Sequence, residues 1–183
     1  MTEHRLPMHV EPTTGGAIEP LITQFEGPLL RYAASVTGDL ERARDVVQET
    51  FFALHREMTD GARGPVNGQI AAWLFTVCRH RALDVLRKEQ RMTTLASETT
   101  EAAVAPEPSA TELEQRELAG QLRQSLAQLP ERQQELVRLK FQNNLSYREI
   151  AEVTGLSVSN VGFLLHTAIK RLRAGLVERE RAP

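Results

Sequence analysis

The sequence predicts an all-α protein: two small helical domains joined by a flexible linker. Three observations carry that expectation. Leu, Ala, Glu, Arg and Gln dominate, and alternating β-branched runs are rare, which favours helix over strand. A Thr-, Ala-, Glu- and Pro-rich stretch without sustained period, MTTLASETTEAAVAPEPSA at 92–110, separates two periodic blocks. Near the C-terminus, two short apolar-periodic segments flank a single glycine at the spacing of a tight helical turn.

The elements follow in order. Residues 1–20 carry Pro, Gly and Thr without an apolar signal core, and read as a disordered tail. The first domain spans 21–91. Its first helix covers 21–37, with Gly38 as the stop. Asp39 is placed to cap a second helix, running to about Met58. Residues 59–68, with three glycines and a proline, form a loop, and a long helix follows over 69–91. The second domain spans 111–183. It opens with a helix over 111–129, and Pro130 starts another that continues through Phe141. Two further helices cover 147–153 and 158–179.

The formal net charge is only −2, which by itself argues against nucleic acid. Its distribution argues otherwise. Arg79, Arg81, Arg87, Lys88 and Arg91 form one basic island, and Lys170, Arg171, Arg173, Arg179 and Arg181 form a second. An acidic stretch carrying Glu98, Glu101, Glu107, Glu112, Glu114 and Glu117 lies between them. The one cysteine, Cys78, excludes an intramolecular disulfide, and no apolar run approaches membrane-spanning length. A cytoplasmic protein is expected, with no membrane partner.

The segment LSYREIAEVTGLSVSNVGFLLHTAIKRLR is the most informative. Ser146 and Glu149 make a capping box ahead of a short helix. Ala151 is small where two helices would cross, and Gly155 supplies the turn. Leu156 and Val161 hold the second helix against the first, and Ser157 caps it. This pattern is that of a helix-turn-helix, whose second helix enters the DNA major groove. Ser159, Asn160 and Phe163 lie early on that helix. Asparagine can bond bidentately to adenine, and an aromatic ring can pack on a thymine methyl. The Lys170–Arg171–Arg173 run is placed for phosphates.

On a helical wheel of 69–91, Leu74, Cys78, Ala82 and Val85 form an apolar stripe. His80, Asp84, Arg87 and Arg91 lie nearly opposite, with Arg79 and Lys88 close by and Trp73 toward the polar side. Such a face either follows a nucleic-acid backbone, with Trp73 stacking on an unstacked base, or is simply solvated. Asp84 reads as an internal partner of the surrounding cations, and Cys78 as a buried small hydrophobe. The histidines lack metal-ligand spacing, and neither a phosphate-binding glycine loop nor a nucleophile elbow is present. The sequence therefore predicts no enzyme, metal or cofactor.

Three segments carry a family resemblance. ARDVVQETFFAL, AAWLFTVCRHRALDVLRKEQR and LPERQQELVRLKFQNNLSYREIAEVTGLSVSNVGFLLHTAIKRL together resemble bacterial sigma factors of the small extracytoplasmic-function type, which hold only regions two and four. The resemblance implies that Asp45, Gln48 and Glu49 contact the β′ clamp helices of core RNA polymerase, and that the second domain meets the β flap. It implies −10 promoter contacts from Trp73, Arg79, His80, Arg87, Lys88 and Arg91, with the 61–68 loop holding a flipped base. It implies −35 contacts from Ser157, Ser159, Asn160, Phe163, Thr167, Lys170 and Arg171, and it allows an anti-sigma protein as a further partner. Two departures stand out. His80 replaces a common asparagine, and Gly162, Leu164 and Thr167 stand where the family usually has cations, which predicts a looser −35 anchor or an unusual −35 sequence. The alternatives are a helix-turn-helix regulator with a sensing domain, or a helical adaptor that binds only proteins.

Overall fold

The computed structural model of the chain describes residues 18–59, 69–92, 120 and 124–180. Residues 1–17 of the expected tail, residues 60–68 of the expected loop, the expected linker beyond Met92 and most of the expected 111–129 helix lie outside the described residues. The described residues form helices and no strand, and the chain divides into two compact units, Met1–Thr94 and Leu95–Pro183.

Among the described residues, the first unit is a bundle of α1 (Glu19–Thr37), α2 (Leu40–Thr59) and α3 (Ile70–Met92), in which each helix touches the other two. Helix α1 begins two residues before the sequence expectation, with Pro20 in its first turn, where a missing N–H costs nothing. Helix α3 runs one residue into the expected linker. Apolar residues at helical spacing make the core: Phe25, Leu29 and Tyr32 from α1, Val46 and Leu54 from α2, and Leu74, Phe75, Cys78 and Ala82 from α3. Tyr32 and Phe75 meet edge to face, with ring centroids 5.4 Å apart at 74°.

The α1–α2 corner is built as the sequence predicts. Gly38 adopts φ 72°, and its N–H donates to the Ala34 carbonyl at 3.0 Å. Asp39 Oδ1 accepts the Arg42 N–H at 2.9 Å, capping α2. The Thr37 hydroxyl, bonded to the carbonyls of Ala33 and Asp39, ties the two helices across the corner. Two ion pairs join α2 to α3: Arg42 to Glu89 at 2.7 Å, and Arg81 to Glu49. Both involve partly exposed groups, so each contributes little to stability.

The second unit holds α4 (Glu131–Val137), α5 (Tyr147–Thr154) and α6 (Val158–Glu180). Pro130 precedes α4 at the N-cap. The single helix expected through Phe141 is corrected. At Arg138–Gln142 the coil widens into a π-helical turn, closed by the Asn143 N–H on the Arg138 carbonyl at 3.2 Å. The Asn143 side-chain amide donates to that same carbonyl at 3.1 Å, and Asn144 then takes a left-handed φ of 53°. The widened turn keeps Leu139 and Leu145 fully buried while the chain reverses toward α5. Leu136, Ile150, Val153, Val161, Leu165 and Ala168 complete the core.

Truncating Phe75 removes a fully buried ring and its contact with Tyr32. Phe75→Ala is expected to cost about 3–5 kcal/mol of the first unit's stability, and Phe75→Leu clearly less. Urea unfolding of the full chain reads the difference, and a loss below about 1 kcal/mol for Phe75→Ala would contradict this core.

Candidate nucleic-acid interface

In the second unit, local bonds fix how α6 is presented. The Ser146 Oγ accepts the Glu149 N–H at 3.2 Å, and the Glu149 carboxylate accepts the Ser146 N–H at 2.7 Å, so the capping box is complete. Gly155 ends α5 at φ 72°, and its N–H donates to Ala151 at 2.9 Å. A side chain would be strained there. The Ser157 Oγ then accepts the Asn160 N–H at 3.2 Å and caps α6. Val161, Leu165 and Ala168 face inward. The helix-turn-helix is therefore present in geometry.

The opposite face of α6 presents Ser159, Asn160, Phe163, His166 and Lys170 to solvent. Ser157 is exposed, but its oxygen serves the cap. Thr167 is half-buried and donates its hydroxyl to the Phe163 carbonyl at 2.9 Å, so its donor is turned onto the helix itself. Arg171 donates to Gln133 Oε1 at 3.2 Å, which ties α6 to α4. Of the positions where the family resemblance implies a cation, Leu164 is half-buried. A Cβ at Gly162 would lie 3.6 Å from the Tyr147 ring, an ordinary contact. The sequence reading left His166 out of the interface, although its spacing of three from Phe163 puts it on the same face.

In the first unit, Leu74, Cys78 and Ala82 are buried and Val85 half-buried, which turns His80, Asp84, Arg87 and Lys88 to solvent. Asp84 accepts from Arg87 at 3.1 Å, as the sequence predicts of an internal partner. Trp73 and Arg79 are half-buried, and the side chain of Arg91 lies outside the described residues. Trp73 is thus partly shielded from solvent rather than fully exposed on the polar face.

On α2, Asp45, Gln48 and Glu49 are all exposed and lie within two turns of one another. Glu49 is bound to Arg81 of α3, so the α2 surface and the basic helix share an ion pair. Gln48 also borders an open groove of about 670 Å³ between α1 and α2, with Ile22, Val47, Phe51 and Phe52 on its walls. Phe52 is 60% exposed. The sequence reading missed it, although it stands four residues after Gln48 on the same helix face.

Among the described residues, no group of three or more His, Cys, Asp or Glu is placed to hold a metal. No helix among them is long and apolar enough to cross a membrane. Burial pushes the Cys78 thiol up to about 12, with a hydrogen bond to Thr50 pulling the other way, which leaves it a poor nucleophile.

These features define a class: a helical DNA-binding protein with a helix-turn-helix in one unit and a second, basic helix in the other. Comparison with known proteins makes the class specific. Residues 21–92 match Sigma-70 region 2, and residues 119–172 match Sigma-70, region 4. The ECF RNA polymerase sigma factor SigL of Mycobacterium tuberculosis is 30% identical over 160 residues, covering 86% of this chain and 88% of SigL. The ECF RNA polymerase sigma factor RpoE of Cereibacter sphaeroides is 31% identical over 153 residues, 82% of this chain and 78% of that protein. In fold, the chain resembles the sigma factor RpoE of Bartonella quintana, solved in complex with the anti-sigma factor NepR, with a TM-score of 0.64 at 22% identity over 87% of this chain and 96% of that one. It likewise resembles CnrH, solved with the cytosolic domain of CnrY, with a TM-score of 0.58 at 24% identity over 88% of each chain. The chain belongs to the ECF RNA polymerase sigma factors, and it is a transcription initiation factor.

Cys78 gives a direct check on the first unit. Its raised native value means that stability is intact below pH 9 and falls as pH climbs from 9 toward 12, because the unfolded chain releases the proton first. Native protein at pH 8 is expected to leave a maleimide unreacted until urea is added. Between pH 9 and 12 the wild type should lose stability faster than Cys78→Ala. Rapid native labelling would contradict the burial.

Proposed function

We propose that this chain docks on core RNA polymerase through the outer face of α2, where Asp45, Gln48 and Glu49 meet the β′ clamp helices and the second unit meets the β flap. The carrying observation is the match to both sigma regions, combined with the exposure of that α2 face. Once docked, α3 engages the −10 element with Trp73, Arg79, His80, Arg87, Lys88 and Arg91, and the 61–68 loop receives a flipped base. Unstacking a base calls for a receptive surface and no catalytic group, so strand opening requires no chemistry of this chain. The α6 face, with Ser157, Ser159, Asn160, Phe163, Thr167, Lys170 and Arg171, engages the −35 element, and the acidic linker spans the two. The protein works in the cytoplasm, takes no cofactor and catalyses nothing; the polymerase forms the bonds.

The docking surface has physical support in its composition. Gln48 stands between the polar residues of α2 and the apolar groove ending at Phe52, so a partner helix finds polar and apolar contacts side by side. The same groove offers an anti-sigma protein an apolar seat, the kind of partner that holds RpoE of Bartonella quintana. The adaptor alternative draws on the weak cationic character of α6, where Gly162, Leu164 and Thr167 replace the family's usual cations.

Run-off transcription with core polymerase decides between these readings. The wild type is expected to give promoter-specific transcripts, and Asp45→Lys or Gln48→Ala to weaken core binding by about tenfold or more. Promoter-specific initiation that survives both substitutions would remove α2 as the docking face, and core binding without any transcript would favour the adaptor. Salt dependence tests the −35 anchor. Placing arginine at Gly162 and Thr167 together is expected to steepen the log–log salt slope of promoter binding by about 2, one unit per regained phosphate contact. An unchanged slope would mean these positions do not face the backbone.

A further inference from the structure

Along the outer face of α6 the side chains change character. The first half offers Ser159, Asn160, Phe163 and His166, and the cations begin only at Lys170. Phe163, at 68% exposed, is the most exposed large hydrophobic side chain among the described residues. A helix used for DNA entry seldom benefits from bare aromatic surface at its centre unless something apolar meets it there. Its immediate surroundings leave few polar options: the Thr167 hydroxyl already donates to the Phe163 carbonyl, and position 162 is glycine. In the major groove, the apolar feature that distinguishes one base from the rest is the 5-methyl group of thymine.

Resting on the sigma-factor reading above, we propose that Phe163 is a specificity residue that reads the 5-methyl of a thymine in the upstream promoter element, next to an adenine read by Asn160. The spacing fits. Residues three apart on a helix are separated by about 4.5 Å along its axis, and base pairs by about 3.4 Å. Asn160 and Phe163 therefore address base pairs one or two steps apart. The Asn160 side chain is exposed, while its backbone N–H is held by the Ser157 cap, so the first turn of the reading helix is pinned where the bidentate contact is made. Methyl recognition at Phe163 then supplies part of the hold of a helix whose outer face carries no cation before Lys170, and the upstream element contains an obligatory thymine.

The test uses holoenzyme reconstituted from the full chain and core polymerase. Sequencing its transcripts on genomic DNA identifies a promoter. Synthetic templates of that promoter then carry deoxyuridine in place of thymidine, one position at a time, across the upstream element. The swap deletes only the methyl group. Wild-type holoenzyme is expected to lose about three- to fivefold in transcription at one such position, the size of one buried methyl. Phe163→Ala, which leaves the core untouched, should transcribe the thymine and uracil templates equally, and Phe163→Leu should keep part of the preference. Equal use of both templates by the wild type overturns the proposal. So does a thymine preference that survives Phe163→Ala, or a loss of core-polymerase binding in that variant, which would make Phe163 a protein contact. Absence of any promoter-directed transcript overturns the sigma-factor reading and this proposal together.

Discussion

The first unit depends on how α3 is rolled against α1 and α2. Phe75 meets Tyr32 edge to face, and Leu74, Cys78 and Ala82 are fully buried, so α3 has one rotational setting that keeps its apolar stripe dry. A roll of one residue, about 100°, would carry Leu74 and Phe75 toward water and bring charge into the bundle. The outward direction of His80, Arg87 and Lys88 is therefore a consequence of core packing. The exposed ion pairs Arg42–Glu89 and Arg81–Glu49 agree with that setting but are too solvent-exposed to impose it.

The second unit solves the same problem with local bonds. Helix α5 is short, so its contribution to orienting α6 comes from both of its ends. The reciprocal Ser146–Glu149 box starts it, the left-handed Gly155 stops it, and the Ser157 cap restarts the chain as α6. Val161, Leu165 and Ala168 then convert that start into a fixed roll. Arg171, bonded to Gln133, extends the fix toward the far end of α6. The exposed side chains of Ser159, Asn160 and Phe163 thus lie outside the core that sets the roll of α6.

Much of this is legible in the sequence because it is written locally. Gly38 with Asp39, Ser146 with Glu149, and Gly155 with Ser157 each announce a helix end within four residues, and each is found as a cap or turn. The periodic stripe of α3 announces its buried face. What escapes is non-local or geometrically unusual. The π-helical turn at Arg138–Gln142 has no periodic signature, because the pattern of buried residues around Leu136 and Leu139 is equally that of an α-helix. The Arg81–Glu49 pair joins residues 32 apart, and wheel projections of single helices do not bring them together. Trp73 reads as polar-facing on its own helix, yet it is half-buried.

That hidden pair bears on how much positive field a chain of nearly balanced charge presents. Glu49 belongs to the α2 face proposed for docking, and Arg81 belongs to the helix proposed for the −10 element. In the isolated unit the carboxylate neutralises a cation that would otherwise add to the basic surface, just as Asp84 does for Arg87. A formal charge of −2 over the whole chain gives little long-range attraction to a phosphate backbone. An exposed ion pair contributes little to stability, so exchanging its partner costs little. On the proposed docking, a basic group that engages Glu49 would release Arg81 from this pair and increase the positive field of α3. Two of the cations of α3, Arg81 and Arg87, are thus paired with the chain's own carboxylates Glu49 and Asp84, and the basic surface of the free unit is correspondingly weakened.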